Sequence, residues 1–123
     1  MNLNSILIGS EDPQRLADYY TKLFGKPAME DSGYVGWQIG SGFFSVGPHS
    51  EVDGKNQQPG RLLVNIESED VQADFDRFKA AGAIVIRETY VLGEGGQQGT
   101  IATLADPDDN YFQLMSPMGP PPG

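Results

Sequence analysis

Apolar and polar residues follow the same order twice along this chain: an alternating stretch, a stretch at helical spacing, then further alternating stretches. Residues 5–9 read as a strand. Asp12 then supplies a helix N-cap and Pro13 the first helical position, where a missing N–H costs nothing. A helix is predicted over Pro13–Phe24, because Leu16, Tyr19, Tyr20, Leu23 and Phe24 recur on one stripe and Gly25 offers a left-handed stop. Strands follow at Tyr34–Ile39 and 43–46, joined by a tight hairpin at Gly40-Ser41-Gly42.

Residues 47–60 are polar, contain Pro48, Gly54 and Pro59, and read as a linker. The pattern then restarts. In 61–67, Leu62, Val64 and Ile66 alternate against Arg61, Leu63 and Asn65. A second helix is predicted over 71–81, with Val71, Phe75 and Phe78 on one stripe and Gly82 as its stop. Strands at Ile84–Val91, Thr100–Ala105 and 111–116 complete it. Gly25 and Gly82 lie 57 positions apart, close to the offset of the two first strands, so the repeat rests on elements in register more than on shared letters. The expectation is an α+β fold of two βαβββ units whose mixed sheet curves round a groove. It forms a single domain over 1–118, with units at about 3–47 and 60–117 and a frayed tail at 119–123.

A chain of 123 residues holds one domain's worth of core. Its start has no basic segment and no apolar run long enough for a signal peptide, and no stretch approaches a membrane span, so the protein is expected to be cytoplasmic. The absence of Cys excludes disulfides, thiolate metal sites and a cysteine nucleophile. A net charge of -9 disfavours nucleic acid; the acidic surface serves either solubility or the attraction of cations.

The order of elements, with Asp106-Pro107-Asp108-Asp109-Asn110 leading into Tyr111-Phe112-Gln113-Leu114, resembles the vicinal oxygen chelate superfamily: glyoxalase I, extradiol dioxygenases, fosfomycin-resistance enzymes and bleomycin-binding proteins. The resemblance covers 3–117. It implies a homodimer in which units pair within or across chains. It also implies, for metal-dependent members, His or Gln at the head of each unit's first strand and Glu near the end of the last. Carried onto this chain, those places are Ser5, Arg61, Ser45 and Gln113. Hydroxyls, an amide and a permanent cation do not make a divalent-metal site, so no metal and no cofactor are expected.

Alternation places Arg61 with Leu63 and Asn65, and Gln113 with Tyr111 and Met115, on the groove side. There Arg61 either clasps a ligand carboxylate or pairs with an acid of its own chain. Gln113 either meets a neutral ligand group or ties neighbouring strands together. Trp37, Tyr34 and Tyr90 form either an aromatic wall for a planar ligand or core and dimer packing. His49 reads as a solvated loop residue, and neither Ser5 nor Ser45 has a histidine placed to activate it. The glycine-rich 93–99 leads into a strand and carries no lysine, so it is a mobile loop and not a phosphate cradle; 106–110 is a hairpin turn and not a calcium loop. The resulting expectation is a metal-independent protein binding a small molecule with a planar body and a carboxylate or carbonyl, sequestering a drug or metabolite. The alternatives are a lyase, isomerase or dioxygenase with non-standard site residues, and a scaffold with a filled groove.

Overall fold

The computed structural model describes residues 1–96 and 99–117 and resolves into two compact units, Met1–Asn56 and Gln57–Gly123. In the first unit, β1 (Ser5–Ser10) leads to α1 (Pro13–Phe24), β2 (Met29–Asp31), β3 (Tyr34–Ile39) and β4 (Gly42–Pro48). In the second, β5 (Val64–Glu67) leads to α2 (Val71–Ala80), β6 (Ile84–Val91), β7 (Thr100–Ala105) and β8 (Tyr111–Met115). The sheet orders are β1-β4-β3-β2 and β5-β8-β7-β6, and in each the first strand is parallel to the last while the remaining pairs are antiparallel. The expected βαβββ repeat is therefore present twice. Gln97, Gln98 and the tail expected to fray, 119–123, lie outside the described residues.

Each helix forms where capping and the apolar stripe coincide. Asp12 and Asp70 accept from the N–H groups of Arg15 and Ala73, satisfying donors that the first turn leaves without partners. Leu16, Ala17, Tyr20 and Leu23 of α1 are buried in a core shared with Trp37, Phe44 and Val46; Val71, Phe75 and Phe78 of α2 are buried in one shared with Leu104, Phe112 and Leu114. Gly25 ends α1 at φ 87°, ψ -162°, an extended positive-φ conformation reserved for glycine and different from the expected left-handed one.

Two boundaries differ from expectation. The three-residue strand β2 has too little pattern to announce itself; Ser32 and Gly33, both at positive φ, make the two-residue hairpin that pairs it with β3. The second unit's first strand begins at Val64 and not at Arg61, because Pro59–Arg61 closes a 3-10 turn in which the Arg61 N–H donates to the Gln58 carbonyl.

Candidate functional site

Because paired residues in a sheet project to the same side, the register identifies rows of side chains crossing each sheet on the side away from its helix. In the second unit one such row runs through all four strands. Asn65 pairs with Gln113, Gln113 with Thr103, and Thr103 with Arg87. The Gln113 Nε2–H donates to Thr103 Oγ1 at 2.9 Å, and the Arg87 guanidinium lies over the Tyr90 ring, 3.4 Å from its centroid. The next row is Glu67, Met115, Ile101 and Tyr90. The Gln113 Oε1 and the Thr103 hydroxyl hydrogen remain on hand in the first row, as do the exposed amide of Asn65 and the donor fork of Arg87.

The equivalent row of the first unit is Leu7, Ser45, Gly36 and Met29. It offers almost no polar chemistry. The Ser45 hydroxyl donates to the Ile6 carbonyl at 3.1 Å, and a Cβ on Gly36 would lie 2.4 Å from Phe43 Cζ, so the Phe43 ring occupies the space a side chain would fill. Similarly, a Cβ on Gly47 would lie 2.1 Å from Tyr34 Cδ1.

Of the ten residues expected to line a groove, Asn65, Gln113 and Tyr90 come together on the second unit's helix-averse side, flanked by half-buried Tyr111 and Met115. Leu63 precedes β5 and is 38% exposed. Ser5 begins β1 exposed and pairs with Phe43, whereas Ser45 pairs with Leu7, so the two serines are not opposite each other. Trp37 requires correction: it is 2% exposed, its indole Nε1–H donates to the Gly25 carbonyl at 2.9 Å, and it packs among Tyr20, Phe24 and Phe44. It is core of the first unit and offers no surface for stacking.

Arg61 also requires correction. It stands at the end of the Pro59–Arg61 turn, exposed, with Nε and Nη2 donating to Gln58 Oε1, and among the described residues it is partnered neither by a ladder strand nor by an acid. The parallel ladders assign positions more reliably than the strand heads do: Ser45 and Gln113 correspond, so Leu7 and Asn65 correspond, and the counterpart of Ser5 is Leu63. His49 is exposed, its Nδ1 accepting from the Glu51 N–H, as expected for a loop residue.

Arg87 and Thr103 belong to this row although the pattern of the sequence does not point to them. Strict alternation from Val85, which pairs with buried Leu104, would turn Arg87 toward α2; a register shift between Val85 and Arg87 turns it to the other side, and a second shift before Tyr90 keeps Tyr90 on that side with it. Thr103 sits in a stretch so apolar that no period distinguishes its sides.

Metal-dependent chemistry finds poor donors here. Neither these rows nor the family's four places hold a Cys, His, Asp or Glu other than Glu67 at the far edge of the second row, and among the described residues no three such side chains cluster. An open pocket of about 360 Å³ lies beside the start of α2, but its acids Glu69 and Asp70 disfavour anions, and Asp70 already caps the helix.

The family model described as a glyoxalase-like domain matches residues 5–115. The chain belongs to that family. Glyoxalase-like architecture also appears in its structural neighbours, within the vicinal oxygen chelate superfamily. A protein described as a conserved domain protein shares 26% identity at TM-score 0.74, over 96% of this chain and 100% of the other. A glyoxalase/bleomycin resistance protein/dioxygenase family enzyme from Burkholderia phytofirmans PsJN shares 20% at TM-score 0.72, over 96% and 100%. The genomically encoded fosfomycin resistance protein FosX from Listeria monocytogenes shares 16% at TM-score 0.70, over 96% and 94%. No curated protein sequence matches this chain. No helix among the described residues is long and apolar enough to cross a membrane.

Proposed function

We propose that this glyoxalase-like protein binds a small molecule without a metal ion, sequestering a drug or metabolite, and that it does so on the helix-averse side of the second unit. The observation that carries the reading is the row Asn65, Gln113, Thr103 and Arg87, which combines neutral donors and acceptors with one cation and contains no Cys, His, Asp or Glu. Such a row recognises carbonyl, hydroxyl or carboxylate groups by hydrogen bonding. It has no nucleophile with an adjacent base, so covalent catalysis has no starting point in it. Neighbours named for antibiotic resistance make a drug one class of ligand to try.

The test is a thermal-shift screen of metabolites and antibiotics on protein held in chelator. Hits are expected there, and Gln113→Leu should weaken them by roughly 1 to 2 kcal/mol, since it removes the amide and leaves the Thr103 hydroxyl without its donor. Hits that appear only after a transition metal is restored would instead favour a metal-dependent lyase or dioxygenase.

We further propose that the protein is a cytoplasmic homodimer. Support comes from the apolar side chains that β6 leaves exposed, Ile84 at 41%, Ile86 at 44% and Val91 at 62%. Light scattering at micromolar concentration should give twice 13.3 kDa; a mass of 13.3 kDa would rule the dimer out.

A further inference from the structure

We infer that Arg87, stacked on Tyr90 at the end of the polar row, is the anion-recognising residue of this protein, and that its ligand carries a carboxylate on a planar body. The inference rests on the small-molecule reading above and adds the ligand's charge and the residue that reads it.

Four observations converge on Arg87. First, the chain carries 17 acidic side chains against 8 basic ones, and each of the other three arginines already has a polar partner: Arg15 has Asp12, Arg77 has Asp74 and Arg61 has Gln58. Arg87 has no ion-pair or hydrogen-bond partner among the described residues. Second, its ring contact holds the side chain without using its N–H groups: Cζ lies over the Tyr90 ring, 3.4 Å from its centroid, and no described group accepts from its donors. A guanidinium already fixed in this way loses less freedom on accepting a carboxylate in the two-point geometry that suits it.

Third, the register shift before Arg87 brings it to the same side as Gln113 and Thr103, and the shift after it leaves Tyr90 on that side too, within reach of the guanidinium. Gln113 lies two strands away, roughly 10 Å at ordinary sheet spacing, so one ligand of modest size can meet the fork at one end and the amide at the other. Fourth, the repeat supplies an internal comparison. Where the second unit has Asn65, Gln113, Thr103 and Arg87, the first has Leu7, Ser45, Gly36 and Met29, with the Phe43 ring laid over Gly36. Recognition is thus concentrated in one of two otherwise similar sheets, and the cation stands where its counterpart is an uncharged thioether. A flat ligand suits the row because the carboxylate and guanidinium become coplanar, and half-buried Tyr111 and Met115 flank the path to Gln113.

The experiment titrates 2-naphthoate and, separately, the neutral 2-naphthamide into the full-length chain while following its backbone amide resonances. The acid is expected to shift amides of β6, β7 and β8. Arg87→Gln should weaken it about tenfold, Arg87→Lys less, and Arg61→Gln not at all, with the melting temperature of each variant close to the parent's because both arginines are exposed. The amide should bind the parent no better than the acid binds Arg87→Gln. Equal binding of acid and amide, or an Arg87→Gln protein that binds the acid like the parent, overturns this inference and leaves the small-molecule reading standing. If neither probe moves those amides the inference also fails, and the reading beneath it falls only if the wider screen yields no hit.

Discussion

Replacing Trp37 with Ala is expected to remove about 4 kcal/mol of stability, the middle of the range for truncating a buried aromatic side chain. Trp37 is 2% exposed, with ring centroids of Tyr20, Phe24 and Phe44 within 6.2 Å of its own. Its indole N–H also ties β3 to Gly25, the residue that ends α1, so deletion opens a cavity and removes this hydrogen bond together. Since domains of this size are stable by roughly 5 to 15 kcal/mol, the variant should be partly unfolded or nearly so at 37 °C. Trp37→Phe keeps most of the packing and loses the hydrogen bond, at about 1 to 2 kcal/mol. Urea midpoints at constant slope measure both losses. A Trp37→Ala protein as stable as the parent but impaired in ligand binding would restore the exposed aromatic wall that the sequence suggested.

Asp106→Ala should cost about 3 kcal/mol, the second largest effect expected. The carboxylate is 0% exposed and accepts from the Asp108 N–H at 2.8 Å, the Asn110 N–H at 3.1 Å and the Asn110 side-chain amide at 3.0 and 3.2 Å. It stands in for backbone partners that the turn between β7 and β8 lacks, and it lets Asp109 hold φ 64°. Hydrogen bonds to a charged group are worth more than neutral ones, and truncation leaves their buried donors without an acceptor. Asp106→Asn retains one acceptor oxygen and should lose roughly half as much. Because the turn sets β8 against β7, amides of Thr103 and Gln113 should exchange faster in both variants. Urea midpoints for both variants within about 0.5 kcal/mol of the parent would show that the backbone alone holds the turn.

The sequence disclosed the fold because capping, helical stripes and alternation agreed at Pro13–Phe24, Val71–Ala80 and Thr100–Ala105. It disclosed less of the site. Asn65 and Gln113 emerged from alternation and Tyr90 as part of an expected aromatic wall, but Arg87 was hidden by the register shift that follows Val85, which inverts the side a period-2 pattern assigns. Arg61 was over-read for the converse reason: alternation was extended through Leu62 and Leu63 into a segment where Pro59 and Gly60 favour a turn. Trp37 obeys the pattern of β3, yet alternation alone does not say which side meets α1. The pairing of Trp37 with Phe44, itself against Tyr20 and Phe24, settles that.

The central claim is that the second unit's polar row binds its ligand without a metal ion. Calorimetric titration of a screening hit into chelator-dialysed protein, repeated after dialysis against zinc, manganese, nickel or iron(II) with elemental analysis of each sample, tests it most directly. The account predicts the same affinity in every sample, substoichiometric metal throughout, and weaker binding in Gln113→Leu. Binding or turnover that arises only with about one metal ion per chain, and is lost when Ser45 or Gln113 is replaced, would contradict it.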